Sequence, residues 1–170
     1  MQKDDRRSAG DKKFKMYDLR FMIYIGADHG GFALKELIKK FLTRSKYTFI
    51  DLGAHEYSAD DDYPDFSFAL AKEVAEHKNA KGILLCRSGQ GACIAANKII
   101  GIRAAQSWNV ESAQRSRADD DSNVLCLGAD FLSQKEVETI ITAWIKTPFS
   151  KLARHKRRIK KIALYEKNSQ

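Results

Sequence analysis

The chain has 170 residues, 44% of them hydrophobic, enough for one domain with a sizeable core. The formal net charge is +8, and no apolar run approaches the roughly 18 residues of a membrane span, so no membrane-spanning helix and no membrane partner are expected. Cys86, Cys93 and Cys126 are an odd number without zinc spacing, so reduced thiols are expected and neither a metal nor a cofactor is.

Residues 1–21 are polar and charged and have no periodicity. They are expected to be disordered or an extension, and Met22 would make an equally good beginning. They lack the apolar region of a secretory signal, and Asp4, Asp5, Asp11 and Asp18 argue against an acid-poor presequence, which leaves the cytoplasm as the default location. Residues 22–27 then read as a strand, and Phe32, Leu34, Leu37, Ile38, Phe41 and Leu42 give a helical stripe. Residues 47–52 read as a second strand, residues 55–62 as an acidic loop ending at Tyr63-Pro64, and Phe66, Leu70, Val74 and Ala75 as a second helix. A third strand at 82–86 is followed by a glycine loop and a short helix at 92–99. Residues 102–105 read as a fourth strand. Asn109 caps a helix running to Arg117, and 124–127 make a fifth strand. Ser133-x-x-Glu136 is a capping box before Val137, Ile140, Ile141, Trp144 and Ile145. Pro148 precedes a basic helix over 148–165.

Five β–α units predict a three-layer α/β, Rossmann-like domain over 22–165: a five-stranded parallel sheet with helices on both faces. Ligands in such sheets bind outside the carboxyl ends of the strands. The candidates there are Asp28 and His29 after the first strand, Cys86 to Gly91 after the third, and Asp119 to Asp121 before the fifth.

In Cys86-Arg87-Ser88-Gly89-Gln90-Gly91 a thiol ends a strand and glycines free backbone N–H groups to face a small concavity. Such donors favour a thiolate or a neighbouring oxyanion, although a lone cysteine is as often a buried apolar group. Gly26-Ala27-Asp28-His29-Gly30-Gly31 has the wrong spacing for a dinucleotide fingerprint, and Ile94 stands where Gly89-x-Gly91 would need its third glycine. Nucleotide cofactors are therefore disfavoured. Asp28 and His29 read either as a turn and helix cap or as ligand contacts. Residues 151–170 carry a net +7 while 21–150 carry −2. The basic run is a weak nucleic-acid signal, and no nucleic-acid partner is expected. Arg154 and Arg158 share a helical face and could hold a phosphate by forked hydrogen bonds. Asp119-Asp120-Asp121 points in three directions, which suits solvated carboxylates better than a metal.

Taken together, Gly26-x-Asp28-His29-Gly30-Gly31, Tyr63-Pro64, Cys86-x-Ser88-Gly89-x-Gly91, Ile94-Ala95-Ala96-Asn97-Lys98, Gly101-Ile102-Arg103-Ala104, Asn123-Val124-Leu125 and Arg154-His155-x-x-Arg158 resemble the ribose-5-phosphate isomerase B family, with its galactose- and allose-6-phosphate relatives. The resemblance runs from about Met22 to Ile162. It implies metal-free interconversion of ribose 5-phosphate and ribulose 5-phosphate. Cys86 would move the proton between C1 and C2, and the amides of Arg87, Ser88, Gly89, Gln90 and Gly91 would hold the enediolate. Asp28 and His29 would contact sugar hydroxyls, and Arg154 and Arg158 the phosphate. It also implies a homodimer, or a dimer of dimers, with the site at the interface.

Four positions depart from the family. Asp119-Asp120 stands where the family usually has His-Asn, and that histidine opens the furanose ring. Asp130 stands where the family often has a substrate-facing arginine, and Arg87 replaces a usual glycine. Each unpaired carboxylate about 4 Å from a phosphate dianion would cost on the order of 1–4 kcal/mol. Either these carboxylates turn away, or ring opening falls to Asp119 or His29, or the substrate is a six-carbon sugar phosphate. A non-catalytic sugar-phosphate binder is the remaining alternative.

Overall fold

A computed structural model describes residues 21–168. The expectation of a disordered extension falls, apart from Phe21, outside the described residues. The chain runs β1 (Ile23–Ala27), α1 (His29–Arg44), β2 (Phe49–Asp51), α2 (Tyr63–Glu76), β3 (Lys81–Cys86) and α3 (Gln90–Ala96). It continues through β4 (Ala104–Gln106), α4 (Val110–Asp120), β5 (Val124–Gly128), α5 (Gln134–Lys146) and α6 (Ala153–Asn168). The strands lie in the order β2-β1-β3-β5-β4 and every neighbouring pair is parallel, as the alternation of elements predicts.

β1, β3 and β5 are central and buried on both faces, which is why their sequences are almost continuously apolar. Side chains alternate between two cores. Ile23, Ile25, Ile83, Leu85, Leu125 and Leu127 pack with α1 and α5 through Ile38, Leu42, Val137, Ile141 and Trp144. Tyr24, Leu84, Cys86 and Cys126 face the other way, against Leu70, Val74, Ala92 and Ala96 of α2 and α3. Local signals set the helix starts. Asp28 caps α1 by accepting the Gly31 N–H at 3.0 Å, and Ser133 and Glu136 form the expected capping box of α5.

Three helices differ from expectation at their ends. α3 runs Gln90–Ala96 rather than over 92–99, with Asn97 as its C-cap. α4 continues past Arg117, so Asp119 and Asp120 are helical and Asp121 is the left-handed cap, with φ 48°. The basic helix starts at Ala153 rather than 148, because Lys151 takes φ 57°, which a right-handed helix does not admit.

One buried cation fixes the edge where β2 ends. Lys35 is fully buried, and its Nζ donates to both oxygens of Asp51 at 2.8 Å and to the carbonyl of Ala54. Burial opposes ionisation of Asp51, but hydrogen bonds from Lys35 and Lys39 outweigh it and hold the carboxyl below its usual range. A carboxyl depressed on folding stabilises the fold above its unfolded pKa of about 3.9 and loses that contribution as pH falls through the lower folded value. Lys35→Ala leaves Asp51 buried without its main partner. It should destabilise by about 3–5 kcal/mol in urea unfolding at pH 7, and a loss below about 1 kcal/mol would show that the pair does not hold this edge.

Candidate active site

The carboxyl ends of β1, β3 and β5 adjoin, and the loops that leave them carry the candidate chemistry. Cys86 ends β3 facing the α2–α3 layer, with 4% of its surface exposed. Its sulfur forms the floor of the loop, and the Gly89 N–H donates to Sγ at 3.1 Å. Gly89 turns at φ 79°, and a Cβ there would come within 3.0 Å of the Gly128 nitrogen. The Gln90 N–H donates to Ser88 Oγ at 3.3 Å, and Gln106 Nε2 donates to the Ser88 carbonyl at 2.7 Å. The loop therefore places one amide on the sulfur and keeps a second on the serine hydroxyl. α3 has only seven residues, so the local donors come from the loop rather than from a long helix dipole.

Asp28 is buried at the end of β1, and burial raises its pKa. One of its oxygens is committed to the cap of α1, so the cap reading of this residue is realised. His29 opens α1. Its Nδ1 lies 2.7 Å from Asp61 Oδ1, and its backbone N–H donates to the same oxygen at 2.8 Å. The hydrogen bond to Asp61 is the largest influence on His29 and raises its pKa above the ordinary value. The second Asp61 oxygen is buried and has no hydrogen-bond partner among the described residues. Asp61 and Gln106 both order this edge, and sequence reasoning did not single out either. Asp61 is one of three adjacent aspartates in an acidic loop, and Gln106 carries no motif. Arg87, also on this edge, donates Nε to Asp130 Oδ2 at 3.0 Å, so two of the departing residues pair with each other.

The other four candidates lie elsewhere. Gly82 pairs with Val124 and Cys86 with Gly128, so the segment before Val124 is at the amino edge of the sheet. β3 has six residues, which puts the two edges about 17 Å apart. Asp119 and Asp120, at the end of α4, are on that far edge, not beside the Cys86 loop. α6 follows them there, since the Ser150 N–H donates to the Ala118 carbonyl and buried His155 has Nδ1 2.8 Å from Ser150 Oγ and 3.6 Å from Asp119 Oδ1. Arg154 donates Nε to His155 Nε2 at 3.0 Å, and both Arg154 and Arg158 are exposed. Within one chain, then, Cys86 and the two arginines do not share a cleft. A cavity of about 440 Å³ at the amino edge, lined by Lys81, Arg103, Arg117 and Asp121, is remote from the sulfur.

The Ribose/Galactose Isomerase family model matches residues 23–162. The chain belongs to that family. Among curated members, the ribose-5-phosphate isomerase B of Mycolicibacterium paratuberculosis is 42% identical over 148 residues, covering 87% of this chain and 93% of that protein. A probable ribose-5-phosphate isomerase B of Mycoplasma genitalium is 39% identical over 89% of this chain and all of its own length. The solved Mycoplasma genitalium enzyme with bound ribulose-5-phosphate superposes with a TM-score of 0.84 at 39% identity, covering 88% of this chain and 99% of that one. The Clostridium thermocellum enzyme also gives 0.84, at 40% identity over 88% and 99%. The family fold expected from the motifs is thus present along nearly the whole described chain.

The His29–Asp61 pair has a direct readout. In Asp61→Asn the His29 titration, followed by imidazole NMR, should move down toward about 6.5. The protonated fraction at neutral pH then falls, whereas an unmoved or higher midpoint would show that Asp61 is not the cause.

Proposed function

We propose that this chain is a cofactor-free aldose–ketose isomerase that interconverts ribose 5-phosphate and ribulose 5-phosphate. The observation that carries the mechanism is the Cys86 sulfur under the Gly89 N–H at the carboxyl edge of the sheet. In the open-chain aldose, Cys86 as thiolate takes the proton from C2, and the carbonyl oxygen at C1 gains the electrons as an enediolate. The C2 hydroxyl passes its proton to the C1 oxygen, and the same thiol returns the carbon-bound proton to C1 as the C2 oxygen becomes the ketone. A group held by a backbone N–H can cycle between thiolate and thiol without the loop reorganising. Ser88, Gln90 and Gly91 surround the enediolate oxygens, and Asp28 and His29 meet the sugar hydroxyls. The curated relatives named ribose-5-phosphate isomerase B, and the related structure holding ribulose-5-phosphate, support this substrate.

A second copy completes the site in this reading. It supplies Arg154 and Arg158 for the phosphate, and Asp119 and Asp120 at the sugar ring. Support comes from the distance between the two edges within one chain, and from Leu152 just before α6 and Ile162 and Leu164 on it, which are about half exposed. Asp119, with His155 Nδ1 3.6 Å away, takes the ring-opening role that the family gives to histidine. The three free cysteines suit a reducing compartment, and we place the activity in the cytoplasm.

A coupled assay with ribose 5-phosphate tests the assignment. Cys86→Ala should lower kcat by about 10²–10⁴-fold with an unaltered melting temperature. Retained turnover would remove Cys86 from the chemistry. A wild-type chain that binds ribose 5-phosphate but does not convert it would replace the isomerase by a sugar-phosphate binder.

A further inference from the structure

The mechanism above leaves Arg87 without a task. Because β3 alternates its side chains, Cys86 faces α2 and α3 while Arg87 turns toward α1. Its stem crosses the first turn of that helix at Gly30, where an added Cβ would lie 2.1 Å from Arg87 Cγ. Only glycine leaves room for the arginine on that path. Two backbone bonds clamp the neighbouring loops: the Ala129 N–H donates to the Cys86 carbonyl at 2.9 Å, and the Asp130 N–H to the Arg87 carbonyl at 3.0 Å. Asp130 then accepts from Arg87 Nε. Among the described residues Nη1 and Nη2 have no hydrogen-bond partner, so the terminal fork of the guanidinium is open. His29, the residue before Gly30, is held toward its protonated form by Asp61.

Stability does not explain this arrangement. Arg87 is 69% exposed and Asp130 43%, and exposed ion pairs contribute little to folding. What the pair does is restrict a long, mobile side chain in advance. A guanidinium fixed through Nε presents two parallel donors outward, the geometry that matches two oxygens of a phosphate. Ordering it beforehand lowers the entropy lost on binding.

We propose that Arg87 binds the substrate's phosphate from the chain that carries Cys86, and that Asp130 is its positioning residue. The inference rests on the sugar-phosphate reading above. Arg87 and Asp130 would then act together with the arginines of the second copy.

The test uses the full chain, with ribose 5-phosphate kinetics and calorimetric titration of inorganic phosphate. Arg87→Ala should raise KM about tenfold, with a much smaller change in kcat, and weaken phosphate binding by a similar factor. Asp130→Ala should raise KM about threefold, and the double variant should be no worse than Arg87→Ala, because a positioning residue has nothing left to position. Arg87→Lys should recover part of the phosphate affinity. All four variants should melt with the wild type. Unchanged KM and phosphate affinity in Arg87→Ala would overturn the proposal, as would an Asp130→Ala effect that persists in full without Arg87. If the wild type fails to isomerise ribose 5-phosphate, the substrate reading fails, and the phosphate titration still decides the role of Arg87.

Discussion

All five strands run the same way, and that one constraint sorts the chemistry of this chain into two ends. The loops that leave β1, β3 and β5 meet at the carboxyl edge because those strands are neighbours in the sheet. The same register sends the turn between α4 and β5 to the opposite edge, a full strand length away. No rotamer change or small loop movement within one chain closes such a gap. A site that needs both ends must therefore draw on two copies, and the half-exposed apolar residues of α6 suit that arrangement.

Charge at the carboxyl edge is handled in pairs. His29 stands on Asp61, Arg87 on Asp130, and behind them buried Lys35 neutralises Asp51 while tying α1 to the segment at Ala54. Each pair restrains a side chain that would otherwise be mobile or disfavoured by burial. The aspartates at the other edge divide their work. Asp121 accepts from Arg117 at 2.7 Å and from Arg103 at 3.2 Å, which makes it part of the frame. Asp119 has only His155 Nδ1 near its carboxylate, at 3.6 Å, and the Asp120 carboxylate makes no hydrogen bond among the described residues, which leaves both for other tasks. The added negative charge expected from the departures is thus partly spent on local pairing: Asp130 does not stand bare before an anion but holds a cation.

The fold was readable because its elements are locally unambiguous. Short apolar runs such as residues 82–86, bounded by charge and glycine, admit little but a buried strand, and Ser133 with Glu136 marks a helix start without ambiguity. The Cys86 loop was readable for a similar reason, since glycines directly after a strand have few structural uses. Position in space was harder. Stopping α4 at Arg117 put Asp119 to Asp121 in a loop, and nothing local says which end of the sheet that loop occupies; the path of the chain around the sheet decides it. Asp61 was hidden because its importance is a contact with a residue 32 positions away, not a pattern. The start of α6 depended on the left-handed turn at Lys151, a conformation that lysine does not advertise.

Mixing two inactive variants bears most directly on the two-copy site. Cys86→Ala and the double variant Arg154→Ala/Arg158→Ala are each expected to turn over ribose 5-phosphate poorly alone. Unfolded together and refolded as a mixture, they should regain activity, because a mixed pair contains one site with an intact Cys86 loop and both arginines. A mixture no more active than its two components would mean that each site is built from a single chain, contrary to the separation of the two sheet edges.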